Sequence, residues 1–169
     1  MLQIIKANPS DDKLIYFLYG FLQSICADYK LLKFDDFSRC RNGIYIVVDL
    51  SHKLNNIIAL IGCRRLTMEE AQIKELEYYC QPNELMYEIE FLHYDNSCTS
   101  YNRPDYEKSV ISQLIKECAA DKNDGFILYR PHCPSNETCK FDDILANNGF
   151  KQITVDDELA YIRKPITQK

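Results

Sequence analysis

Apolar and polar positions along the chain change period several times, and each change marks an element. Leu2 to Ala7 alternates as a first strand. Pro9-Ser-Asp-Asp12 then supplies a turn and a helix cap, with Ser10 or either aspartate able to hold free N–H groups. Leu14, Phe17, Leu18, Phe21, Leu22 and Ile25 follow at helical spacing on a broad face, and Asp28-Tyr-Lys30 ends that helix. A shorter helical or irregular piece runs over Lys33–Arg41, with Asp35 or Asp36 able to cap it. Asn42-Gly43 is a turn, Ile44–Leu50 a strand, and Ile57–Arg65 returns antiparallel as a hairpin. Gly62 inside that strand marks a bulge or a close approach by another segment. Thr67–Cys80 has helix-forming composition, with Thr67 as cap.

The centre of the chain is Glu84 to Ala119. Met86–Tyr94 reads as a strand, Asp95–Asp105 as a polar loop, and from Tyr106 the positions Val110, Leu114, Ile115 and Cys118 step as a helix. A strand feeding a helix through a polar loop is a common phosphate cradle, because free N–H groups at the helix start point beyond the strand. Gly125–Arg130 is a short buried strand, Pro131–Thr138 a loop, and Phe141–Asn148 a helix closed by Gly149 at the position past the last turn. Phe150–Val155 and Leu159–Arg163 form a last hairpin. The organisation is one domain over 1–165 with a polar tail over 166–169, and the element order is mixed α/β.

Composition narrows the function classes. The chain has 169 residues, 46% hydrophobic and 27% charged, an ordinary balance for a globular domain. A net charge of −5 supplies no basic field, which argues against general nucleic-acid or anionic-membrane binding. Arg64-Arg65 is the densest basic spot and reads as a solvated strand end. Eight cysteines lie scattered, with no C-x-x-C pair, and Met1 runs straight into a strand without a leader pattern. The expectation is reduced thiols and a cytoplasmic protein. His132, Cys133 and Cys139 do not have the spacing of a zinc site, so no metal is expected.

The element order resembles that of the GCN5-related N-acetyltransferase (GNAT) superfamily, the acyl-CoA-dependent acyltransferases. Ile4–Asp12 is similar to the family's opening strand and the aspartate starting its first helix, Asn148-Gly149-Phe150 to its late Gly-Phe, and Ala160–Lys164 to its last strand. The resemblance implies a mostly antiparallel central sheet with flanking helices, and fourth and fifth strands that splay beyond Phe91. It also implies acetyl-CoA as co-substrate and an amine-bearing small molecule, peptide or protein as acceptor. Glu88 falls where the family's histone-type branch carries its general base. Glu90, two residues on, faces the same side of a strand, and the two carboxylates would repel. A protonated amine must lose a proton before it attacks a thioester, which is the task of such a base. The backbone of Phe91, Leu92 and His93 would pair with the pantetheine arm like an added strand.

Two family features are missing. The pyrophosphate loop, Gln/Arg-x-x-Gly-x-Gly/Ala, would fall on Tyr106, Ser109 and Ile111, so neither glycine is present and Ile111 would crowd the phosphates. Arg103 and Lys108 can supply charge instead, with Ser109 and Val110 nearby. The family's tyrosine before its Gly-Phe is Leu145 here, leaving Tyr129 or Tyr101 to protonate the leaving thiolate. The sequence therefore carries three readings: an N-acyltransferase with an altered cofactor loop, a catalytically silent interaction module that keeps the fold, or an acyltransferase-fold subunit of a hetero-oligomer, active only with a partner.

Overall fold

The computed structural model describes residues 2–26, 29–50, 56–73, 76, 79, 84–95, 104–131 and 141–166. Five helices, α1 (Asp12–Ile25), α2 (Phe34–Ser38), α3 (Met68–Ile73), α4 (Pro104–Asp121) and α5 (Asp142–Asn147), flank seven strands among these residues. The strands are β1 (Leu2–Lys6), β2 (Ile44–Asp49), β3 (Asn56–Arg65), β4 (Met86–Tyr94), β5 (Phe126–Tyr129), β6 (Phe150–Val155) and β7 (Glu158–Arg163). They form one sheet in the order β1-β2-β3-β4-β5-β7-β6. Only the β4–β5 pair is parallel. This is the mixed, mostly antiparallel sheet with flanking helices that the element order implies.

Each face of the sheet buries its own set. Ile15, Leu18 and Leu22 of α1 pack with Phe37, Ile46 and Phe91 on one face. Ile111, Leu114 and Ile115 of α4 pack with Ile89, Leu92 and Tyr129 on the other. A third cluster, around Leu66, Met86 and Leu128, closes the end of the sheet near α3.

Local signals account for most boundaries. Asp11 caps α1, its carboxylate accepting from the Leu14 N–H at 3.1 Å. Gly149 takes φ +86° after α5, and Asp156 and Asp157 take the left-handed conformation that a two-residue hairpin requires. Thr67 and Glu70 form a capping box on α3: the Thr67 hydroxyl accepts from the Glu70 N–H, and the Glu70 carboxylate from the Thr67 N–H, both at 3.2 Å.

Three boundaries differ from expectation. Helix α2 is capped by neither aspartate, because Asp35 and Asp36 both lie in its first turn behind Lys33. Helix α4 begins at Pro104, inside the segment expected to be loop, since proline suits a first turn where no N–H partner is needed. Ile166, assigned to the tail, donates its N–H to the Asn123 carbonyl at 3.0 Å. Four of the eight cysteines, Cys26, Cys40, Cys63 and Cys118, are described, all buried free thiols. Among the described residues no helix is long and apolar enough to cross a membrane.

Candidate active site

Strand β4 is built in two halves. From Met86 to Ile89 it is paired on both edges, to β3 and, residue for residue, to β5, where Ile89 meets Tyr129. The β5 ladder stops there. Beyond it β4 continues to Tyr94 beside β3, and among the described residues no strand pairs with its other edge. The splay thus opens at Ile89, two residues before Phe91.

The opening coincides with a bulge. Cys63 pairs with Ile89 and Gly62 with Phe91, so the backbone register skips Glu90. The extra residue changes the phase of the strand: Ile89, Leu92 and Tyr94 share the α4 face, whereas Phe91 points to α1. Gly62 is needed here because a Cβ at this position would lie 2.0 Å from Cζ of Phe91, whose ring stacks on Phe37 at 4.8 Å. Both meanings expected of this glycine, a bulge and a close approach, hold at once.

Glu88 and Glu90 do share the α1–α2 side, but their surroundings differ from a solvated strand carrying two acids. Glu88 is 4% exposed. Glu90 accepts from Nε of Arg64 at 2.6 Å, and the other side of that guanidinium donates to Glu70 at 2.5 Å. Arg64 is therefore no solvated strand end: its side chain is 9% exposed and ties β3 to the bulge and to α3. Burial alone would make this guanidinium easier to deprotonate, and the Glu70 and Glu90 carboxylates outweigh it and hold the proton more tightly. Its hydrogen bond in turn holds the Glu70 carboxyl down to about 2. The Cys40 thiol reports the same cluster. Burial, then the Glu90 carboxylate, push it well above its ordinary value, with Arg64 opposing and Glu88 adding. Sequence reasoning missed Arg64 because its partners become visible only with the strand register.

The open edge of β4 is partly occupied. Tyr29, between α1 and α2, accepts from the Leu92 N–H at 3.0 Å and donates to the Leu92 carbonyl at 3.2 Å. Both Leu92 groups therefore point away from β3, into the gap that β5 leaves. No local pattern around Tyr29 announced this contact.

Tyr129, last residue of β5, is buried on the α4 face with its ring 6.5 Å from Tyr161. Tyr129 and Glu88 therefore approach the gap from opposite sides of the sheet. Leu145, standing where the family has its tyrosine, is fully buried. The hydroxyl of Tyr161 donates to Asp142 at 2.5 Å.

The cofactor-loop residues fall differently from their expected roles. Ser109 and Val110 lie in the second turn of α4, where backbone N–H groups bond within the helix and cannot face a phosphate. Val110 and Ile111 are core residues, so Ile111 does not project at phosphates. Lys108 and Ser109 are exposed, and the first turn carries Asp105 and Glu107. Arg103, Tyr101, His132, Cys133 and Cys139 lie outside the described residues.

No protein-family model and no curated protein matches the sequence. Solved structures do match in fold. The NatC complex bound to Gag peptide and CoA contains a chain that aligns with a TM-score of 0.61 at 13% identity, covering 98% of this chain and 99% of that one. NAA60 of Arabidopsis thaliana in complex with acetyl-CoA gives 0.57 at 15% identity, covering 96% of each chain. The polyamine N-acetyltransferase of Drosophila melanogaster gives 0.57 at 8% identity, covering 97% of this chain and 100% of that one. With its parallel β4–β5 pair, its bulge and its splay, the chain has the fold of the GCN5-related N-acetyltransferases.

Proposed function

We propose that the chain is an acyl-CoA-dependent N-acyltransferase, transferring an acetyl group to a primary amine of a small molecule, peptide or protein by direct attack. The observation that carries this reading is the open edge of β4 beyond Ile89, with the buried Glu88 beside it. An extended acyl-pantetheine arm fits such an edge because the Leu92 N–H and C=O face away from β3. The similar structures that hold CoA or acetyl-CoA, and the peptide and polyamine named with two of them, support the substrate classes.

Acetyl-CoA supplies the activated acyl group; the chain's own groups handle protons and orientation. Glu88, directly or through a water, takes a proton from the ammonium, freeing the lone pair that attacks the thioester carbon. Glu90 is the weaker candidate base, since its carboxylate is engaged by Arg64. Backbone N–H groups past the bulge stabilise charge developing on the carbonyl oxygen. As the carbon–nitrogen bond forms and the carbon–sulfur bond breaks, Tyr129 gives its proton to the departing sulfur and regains one, through water, from the nitrogen that becomes the amide.

The start of α4 favours a second reading, a silent module that keeps the fold. Asp105 and Glu107 place negative charge where a pyrophosphate would lie, and no glycine opens the helix there. A melting experiment with acetyl-CoA decides between the two. Stabilisation that rises with acetyl-CoA concentration supports the enzyme; none at millimolar acetyl-CoA leaves the module.

A further inference from the structure

The contact between Tyr29 and Leu92 matches the pattern of a ligand. A hydroxyl both donates and accepts. The Tyr29 hydroxyl uses both functions on one residue, bonding the N–H and the C=O of Leu92. Two successive secondary amides laid along the strand edge would present the same pair, an N–H from one and a C=O from the other, and the pantetheine arm carries two such amides. The chain around Tyr29 is held from behind. Gln23 donates to the Tyr29 carbonyl and, at 3.1 Å, to the Leu32 carbonyl, and the Tyr19 hydroxyl donates to Leu32 at 2.8 Å. The Leu32 N–H closes the turn on the Tyr29 carbonyl at 3.1 Å. The backbone is thus anchored to α1 independently of the side chain, so the ring can turn away without unfolding the connector.

We propose that Tyr29 is a latch on the acyl-donor slot: its hydroxyl occupies the Leu92 backbone groups in the ligand-free chain and gives them up when acyl-CoA pairs with β4. This rests on the reading of the chain as an acyl-CoA binder. Binding then exchanges two protein hydrogen bonds for two ligand ones, and affinity is reduced by the occupancy of the latch. Tyr29, 5% exposed, packs in the same cluster as Phe91, on the α1–α2 side where Glu88 and Glu90 lie. Loading of the donor would therefore reshape the side from which the amine approaches.

The test is Tyr29→Phe, which keeps the ring and removes only the hydroxyl. Acetyl-CoA is titrated into the full chain and the variant by calorimetry. The Leu92 amide is followed by hydrogen exchange, and melting of both proteins confirms equal folding. The latch predicts acetyl-CoA binding about 5- to 150-fold tighter in the variant, the worth of two competing hydrogen bonds. It also predicts faster Leu92 exchange in the ligand-free variant, slowed again by acetyl-CoA. Binding by the variant alone would support the latch most strongly. Equal or weaker binding in the variant overturns the latch while leaving the acyl-CoA reading intact. Absence of binding in both proteins overturns that reading and the latch together.

Discussion

Strand β4 and helix α4 are consecutive in the chain and opposite in character. The strand has what direct acyl transfer asks of it: a bulge at Glu90, an edge released from β5 after Ile89, and the buried carboxylate of Glu88. The helix starts with a proline, which has no N–H to give, and two acids in its first turn. The strand's features are enforced by packing, since Gly62, Phe91 and Phe37 must interlock for the sheet to close. Nothing in the core enforces a phosphate cradle. On the proposed reading, the two ends of the acyl-CoA site can change independently, one fixed by folding and the other by ligand alone.

Four substitutions probe that contrast, from the largest expected effect to the smallest. Glu88→Gln should lower the transfer rate at neutral pH by about 10²- to 10⁴-fold, the usual worth of a general base. The loss should shrink at high pH, where the amine is already deprotonated. Equal rates at every pH would clear Glu88 of the role and remove the strand's claim to chemistry.

Arg64→Met strips the bulge of its cation. Two carboxylates lose a charge-assisted bond, which should destabilise the fold by about 1.5–3 kcal/mol at neutral pH in denaturant melts. The acid limb sharpens the test. Because the folded-state Glu70 carboxyl sits at about 2 against an ordinary 4.5, its contribution is complete above pH 4.5 and is lost as pH falls towards 2. The variant should lose less stability than the parent across that window. A parallel decline in both proteins would mean that Arg64 does not hold Glu70.

Gly62→Ala drives a Cβ into the Phe91 ring and should destabilise by about 1–3 kcal/mol through overpacking. If the bulge positions the open edge, the variant should also bind acetyl-CoA less well than its stability alone explains. Unchanged affinity in a folded variant would detach the edge from the bulge. The smallest effect is expected at the helix. Asp105→Asn removes a charge opposing phosphate and should tighten acetyl-CoA by about two- to fivefold at low salt, the scale of one charge at a helix end. No change would mean that phosphates do not approach α4.

Much of this arrangement is legible in the residues themselves. Met86–Tyr94 has the β-branched and aromatic run of a strand and occupies those residues as β4, and Gly62 and Gly149 signal their places correctly. The bulge leaves a trace as well: Phe91 and Leu92 are adjacent apolar residues in a strand that otherwise alternates, which is what a phase change looks like. The Arg64 bridge leaves no local trace, because a cation beside a strand end reads as solvated until its cross-strand partners are known. Tyr29 is equally silent, being fixed by a contact with a residue 63 positions away. The register of the cofactor loop fails for another reason. Proline at the first position of α4 begins the helix before its apolar period starts, so Ser109 and Val110 fall within regular helix.

The most direct test of the open β4 edge is amide hydrogen exchange along Met86–Tyr94, with and without acetyl-CoA. The account predicts new protection confined to the segment past Ile89, centred on Leu92, and none from Met86 to Ile89, where both edges are already paired. Protection unchanged past Ile89 at saturating acetyl-CoA would contradict it.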